Sequence, residues 1–192
     1  MTTFGGFGAG RNCVALALAL GLGGCLELEG VDYVIDLASQ TGRVTIHGIG
    51  SDGTVGGIVD DSQDATEADD FKSLMDDYAR GDSALAGLAS GLGFKTWQVQ
   101  ARRLVDAGAR LDGEIAFGFA GPADLHLASY DRARPYLWCP PEDLHVVRAN
   151  ASFRTREGCL VWSAAVKTLR IELQKTHAGK VRSLLARWRA TR

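Results

Sequence analysis

A chain of 192 residues, 46% of them hydrophobic and 23% charged, suits one compact domain with a short appendage and excludes two full domains. A formal net charge of -2 exerts no general pull on nucleic acid, so no nucleic-acid partner is expected. The charge is uneven, because residues 52–82 hold ten acids and two bases whereas residues 167–192 hold eight bases and one acid; the two segments should attract each other or different partners.

The first feature in chain order is the run VALALALGLGGC at residues 14–25. Its apolar part is about half of the roughly twenty residues a bilayer crossing needs, so it is too short to span. Inside a packed helix Gly21, Gly23 and Gly24 would each cost about 1 kcal/mol relative to alanine. Small residues suit a cleavage site better, and the preceding stretch, with Arg11 and no acid, supplies the positive start of a secretory signal. The order Leu22-Gly23-Gly24-Cys25 resembles the lipobox of bacterial lipoprotein precursors, a resemblance confined to about the first 25 residues. It implies that residues 1–24 are removed and that Cys25 becomes the acylated N-terminus, anchored in membrane lipid by chains that each contribute about 0.8 kcal/mol per buried methylene. It also implies a place in the bacterial cell envelope, on the outer membrane facing the periplasm.

Under that resemblance the cysteine inventory simplifies. Cys13 leaves with the signal and Cys25 carries lipid, so Cys139 and Cys159 are the pair left in an oxidising compartment, and a disulfide between them follows. A zinc alternative lacks both a CxxC spacing and enough ligands.

Past Cys25 the alternation of Val31, Tyr33, Ile35 and Leu37 predicts a half-buried strand, and Val44 and Ile46 predict its hairpin partner across the turn at residues 39–42. The glycine- and aspartate-rich residues 48–64 read as a loop. Thr66 and Asp69 have capping-box spacing, and Ala68, Phe71, Leu74, Met75 and Tyr78 continue at helical period to Gly81. After a loose connection at residues 81–93, Trp97, Val99 and Ala101 predict a third strand, and Ile115, Phe117 and Phe119 a fourth. Pro122 opens a short helical turn. Residues 134–139, 144–149 and 160–173 predict further strands, the last bent near Lys167, with Pro140-Pro141 breaking the chain between the first two.

The C-terminal segment, residues 178–192, reads as a basic amphipathic helix with Val181, Leu184, Leu185 and Trp188 on one face. Either it docks on the domain, or it contacts anionic lipid or an acidic partner, this chain's own acidic helix included. The sum predicts a single domain over residues 25–192, of α+β class: a mainly antiparallel sheet with one main covering helix and a short C-terminal helix.

Motifs for chemistry are thin. Residues 48–53 match GxGxxG, but a dinucleotide's phosphates need a helix N-terminus directly after it, and residues 54–60 open none. Asp60, Asp61, Asp64, Glu67, Asp69 and Asp70 lack the frame of an EF-hand, so they read as acids around a helix start. Arg80-Gly81-Asp82 is explained by helix termination, and Asn150-Ala151-Ser152 is a glycosylation sequon. His47, His126, His145 and His177 share no spacing, and no HExxH, GxSxG or SxxK occurs. No catalytic residue, cofactor or metal is therefore expected. The expected role is non-enzymatic binding, scaffolding or assembly with an envelope protein partner. Two rivals stand beside it: a lipid-anchored periplasmic hydrolase, and a cytosolic small-ligand or nucleotide-binding protein.

Overall fold

A computed structural model describes residues 26–51, 54–55, 58–59, 63–80, 98–141, 144–176 and 181–192. The signal-like run, Cys25, all of residues 81–97 (Gly81, Asp82 and Trp97 among them) and His177 lie outside the described residues.

The chain enters through β1 (Leu26–Glu27) and then forms the expected hairpin of β2 (Gly30–Asp36) and β3 (Thr41–His47). Period-two patterning sets its register: Val31, Tyr33, Ile35, Val44 and Ile46 are buried, while Asp32, Thr45 and His47 point to the other face. Asp36 Oδ1 accepts the amide hydrogens of Ala38 and Ser39 and closes the turn. Residues read as a loop instead carry the short strands β4 (Gly50–Ser51), β5 (Thr54–Val55) and β6 (Ile58–Val59). Next comes α1 (Gln63–Arg80), which begins three residues before Thr66, so the proposed capping residue lies inside the helix.

Four longer strands complete a six-stranded sheet. They are β7 (Gln98–Asp106), β8 (Leu111–Gly118), β10 (Leu144–Ala149) and β13 (Thr168–Lys175), and with β2 and β3 they run in the order β10-β13-β2-β3-β8-β7, every pairing antiparallel. A bulge between Val99 and Ala101 breaks the alternation of β7, so Leu104 is buried and Ala101 exposed. A second small sheet, β11-β12-β9, is built from β9 (Tyr136–Trp138), β11 (Phe153–Arg154) and β12 (Leu160–Trp162). The stretch 160–173 is therefore two strands in two sheets, broken at residues 163–167, where one bent strand was expected.

The class differs from expectation too. The fold is mostly antiparallel β-sheet rather than α+β with a main covering helix. The helix α1 makes its main contacts with β4 and β5, and its Leu74 is buried in the common core. Helical periodicity located its apolar stripe but could not name the surface that receives it. The six-stranded sheet's inner face joins one core with Trp138, Leu160 and Trp162 of the small sheet as well as Leu74 of α1, so the cover is shared and no single helix supplies it.

The C-terminal alternatives resolve structurally. β14 (Arg182–Ser183) pairs with β4, and α2 (Leu185–Arg189) follows with Leu184, Leu185 and Trp188 buried in the common core. Its basic side chains meet acids of the fold: Arg187 Nε lies 2.9 Å from Glu67 of α1, and Arg189 Nε lies 2.7 Å from Asp106 at the end of β7. The segment docks, and the opposite charges of the two sequence segments meet within one molecule.

Candidate functional site

The densest group of ionisable side chains sits where β2, β3 and β8 run together. His47, the last residue of β3, has Nε2 3.0 Å from Asp32 Oδ2 on β2 and Nδ1 2.9 Å from Asp112 Oδ2 on β8. Register explains the meeting. Ile46 pairs with Gly113, which puts His47 beside Asp112, and Gly30 pairs with His47, which puts Asp32 one outward position along the neighbouring strand.

Asp112 is the hub. Its side chain is 9% exposed, and Oδ1 accepts from the Gly48 amide at 3.0 Å and forms an ion pair with Arg110 Nε at 3.0 Å. Arg110 also reaches Glu29 at 3.5 Å and places Nη2 3.1 Å from His47 Nδ1. Gly48 adopts φ +63°, a left-handed conformation that favours glycine, with the Glu29 side chain lying against it. Beside the group, Lys175 of β13 pairs with Glu27 of β1.

The electrostatics favour a charged ring. Burial, the largest single influence on His47, pushes its pKa down, but the hydrogen bonds to Asp112 and Asp32, with the charges of both carboxylates, outweigh it and raise the pKa above its ordinary value. In the imidazolium form both ring N–H groups donate, Nδ1 to Asp112 and Nε2 to Asp32. Arg110 Nη2, which can only donate, also faces Nδ1 at 3.1 Å, so that nitrogen meets a carboxylate and a guanidinium together. Asp32 Oδ1 is shielded and receives no hydrogen bond among the described residues.

The sequence singled out His47 but not Asp32, Arg110 or Asp112, because their association depends on which strands pair. Neither of the other described histidines joins it: His126 follows the 3₁₀ turn Pro122–Leu125 and His145 lies on β10, at the far edge of the sheet, while His177 lies outside the described residues. Of the 48–53 motif, Gly48 and Gly50 serve backbone conformation and packing, and Gly53 lies outside the described residues. A Cβ at Gly50 would collide with the carbonyl oxygen of Arg182 on β14, and the next described helix starts only at Gln63. Among the acids considered for calcium, Glu67 is paired with Arg187, Asp70 is buried, and Asp60 and Asp61 lie outside the described residues. No group of three or more histidine, cysteine or acidic side chains suited to a metal ion occurs among the described residues.

The disulfide is present. Cys139, directly after β9, and Cys159, directly before β12, are bonded with their Cα atoms 4.1 Å apart, one step beyond the Trp138–Leu160 pair. Among the described residues no helix is long and apolar enough to cross a membrane.

The chain matches no protein-family model, no curated protein and no solved structure.

Proposed function

We propose that the protein is an exported bacterial lipoprotein, cleaved before Cys25 and held in the envelope by acyl chains on that residue, and that its β-rich domain works by binding another envelope component. The observation that carries the reading is the Cys139–Cys159 bond, since disulfides persist in exported proteins and are rare in the cytosol. It agrees with the separate signal at Leu22-Gly23-Gly24-Cys25.

Two further features support it. Leu26, the residue after the lipid-bearing position, is half-buried and already paired with Ser51, so an acylated Cys25 would hold the domain against the membrane surface with almost no tether. Among the described residues, His47 lies between the carboxylates of Asp32 and Asp112, an arrangement suited to holding β2, β3 and β8 together as a rigid platform.

Intact mass spectrometry of the protein from a bacterial membrane fraction, with Cys25→Ala beside it, tests the proposal. A mature chain starting at Cys25 and carrying acyl mass, lost in the variant, is the expected result. A full-length unmodified chain in the soluble fraction overturns it.

A further inference from the structure

We propose that Cys139 is a thiol-exchange site, through which a dithiol protein reversibly opens the Cys139–Cys159 bond while the domain stays folded. The inference goes beyond the lipoprotein reading and does not need Cys25 to be acylated.

Three observations support it. First, the two cysteines face different environments: Cys139 is exposed, whereas Cys159 is 9% exposed. A disulfide is opened by in-line attack of a thiolate on one sulfur, so access to a single sulfur suffices and also decides which one is attacked. Second, Cys139 lies on the rim of a shallow hollow lined also by His126, Ala128, Leu137 and Trp138. The apolar members of that lining suit the flanks of an incoming cysteine, and Pro140-Pro141 directs the chain out of β9 immediately after Cys139, so no further strand residue follows there. Third, the small sheet does not depend on the bond for its pairing. β12 is in register with β9 over three residues and with β11 over two, so backbone pairing on both sides of β12 holds the strands when the sulfurs separate.

The step balances as an ordinary exchange. A partner thiolate attacks Sγ of Cys139, a sulfur–sulfur bond forms between them, and the bond to Cys159 breaks with its electron pair leaving on Cys159 Sγ, which takes a proton from water. The partner's second thiolate then attacks its own sulfur in the mixed disulfide and releases Cys139 as a thiol. Two electrons have moved: the partner dithiol is oxidised to a disulfide, and this protein's disulfide is reduced to two thiols.

The test uses the full chain carrying Cys13→Ser and Cys25→Ser, so that the pair is its only sulfur chemistry. The rate of disulfide opening is measured in native buffer against dithiothreitol concentration and compared with the global unfolding rate. The expected rate rises in proportion to the dithiol and exceeds the unfolding rate at least tenfold; a rate that levels off at the unfolding rate overturns the proposal. Glutathione trapping followed by peptide mapping should place the adduct on Cys139, and an adduct on Cys159 instead overturns it. With a Cys-x-x-Cys protein as reductant, Ala128→Glu should slow opening at least fivefold while leaving the dithiothreitol rate unchanged; equal rates with the protein reductant would remove the docking part of the inference.

Discussion

Trp162 donates its indole hydrogen to Oδ1 of Asn150 across 3.0 Å, and the same oxygen accepts the Arg170 amide at 2.9 Å while Asn150 Nδ2 donates to the Thr168 carbonyl at 2.8 Å. One side chain thus ties the end of β10 to β13 of the large sheet and β12 of the small one. The asparagine of the sequon at residues 150–152 thus has a structural role of its own. Trp162 is fully buried, so removing its acceptor leaves an indole N–H without a partner. Asn150→Ala should lower stability by about 1–3 kcal/mol. Denaturant unfolding followed by tryptophan emission checks this, and unchanged stability would show that the amide is dispensable.

His47 should make stability depend on pH near neutrality. Its folded pKa is raised above the unfolded value, so its contribution is complete below the unfolded pKa and is lost as pH rises through the folded pKa. Asp32, Asp112, Arg110 and Glu29 are the charged groups around it, and within the window just above the ordinary histidine pKa the ring is the group expected to change charge. Unfolding midpoints should fall as pH rises from the ordinary histidine pKa through the raised one, and His47→Gln should flatten that slope. A ring titration by proton NMR with a midpoint at or below that of a free histidine would contradict the clamp.

How far the fold could be read before any coordinates follows from the range of each interaction. The β2–β3 hairpin was legible because alternation and a polar turn are both local, and Val31, Tyr33, Ile35, Val44 and Ile46 all proved buried. β10 was legible to its ends for the same reason. The role of α1 was not, because an apolar stripe marks that something covers it without saying what. The break between β12 and β13 was hidden in continuous apolar and polar alternation, and only pairing with two different strands, at Trp162–Tyr136 and Thr168–Asp36, reveals it. The candidate site was the least legible, since Asp32, His47 and Asp112 meet through the order β2-β3-β8, which no local pattern encodes.

Docking of the C-terminal segment makes it part of the folding unit. Leu184 is fully buried, and Leu185 and Trp188 nearly so, in the same core as the sheets. Trp188→Ala should cost about 3–5 kcal/mol, as for other buried aromatic residues. Arg189→Ala should cost far less, because its partner Asp106 is at the surface and exposed ion pairs contribute little. Ending the chain before Leu184 should abolish the cooperative transition in thermal unfolding. A truncated chain that melts as sharply as the full one would mean that the segment merely rests on the domain.

Removing the disulfide tests how much of the domain's stability lies in the loop it closes. The bonded cysteines are 20 residues apart, and the loop between them contains all of β10, an edge strand of the large sheet. On the chain-entropy account, closure of such a loop stabilises the fold by about 3 kcal/mol through restriction of the unfolded chain. The double variant Cys139→Ser, Cys159→Ser should therefore unfold at lower urea concentration, with β10 amides losing hydrogen-exchange protection before those of β2 and β3. The order follows from position: β10 has a neighbour on one side only, whereas β2 and β3 are paired on both sides. Equal unfolding midpoints with and without the bond would show that the unfolded chain gains no freedom when the loop is opened, and would leave redox exchange rather than stability as what the pair contributes.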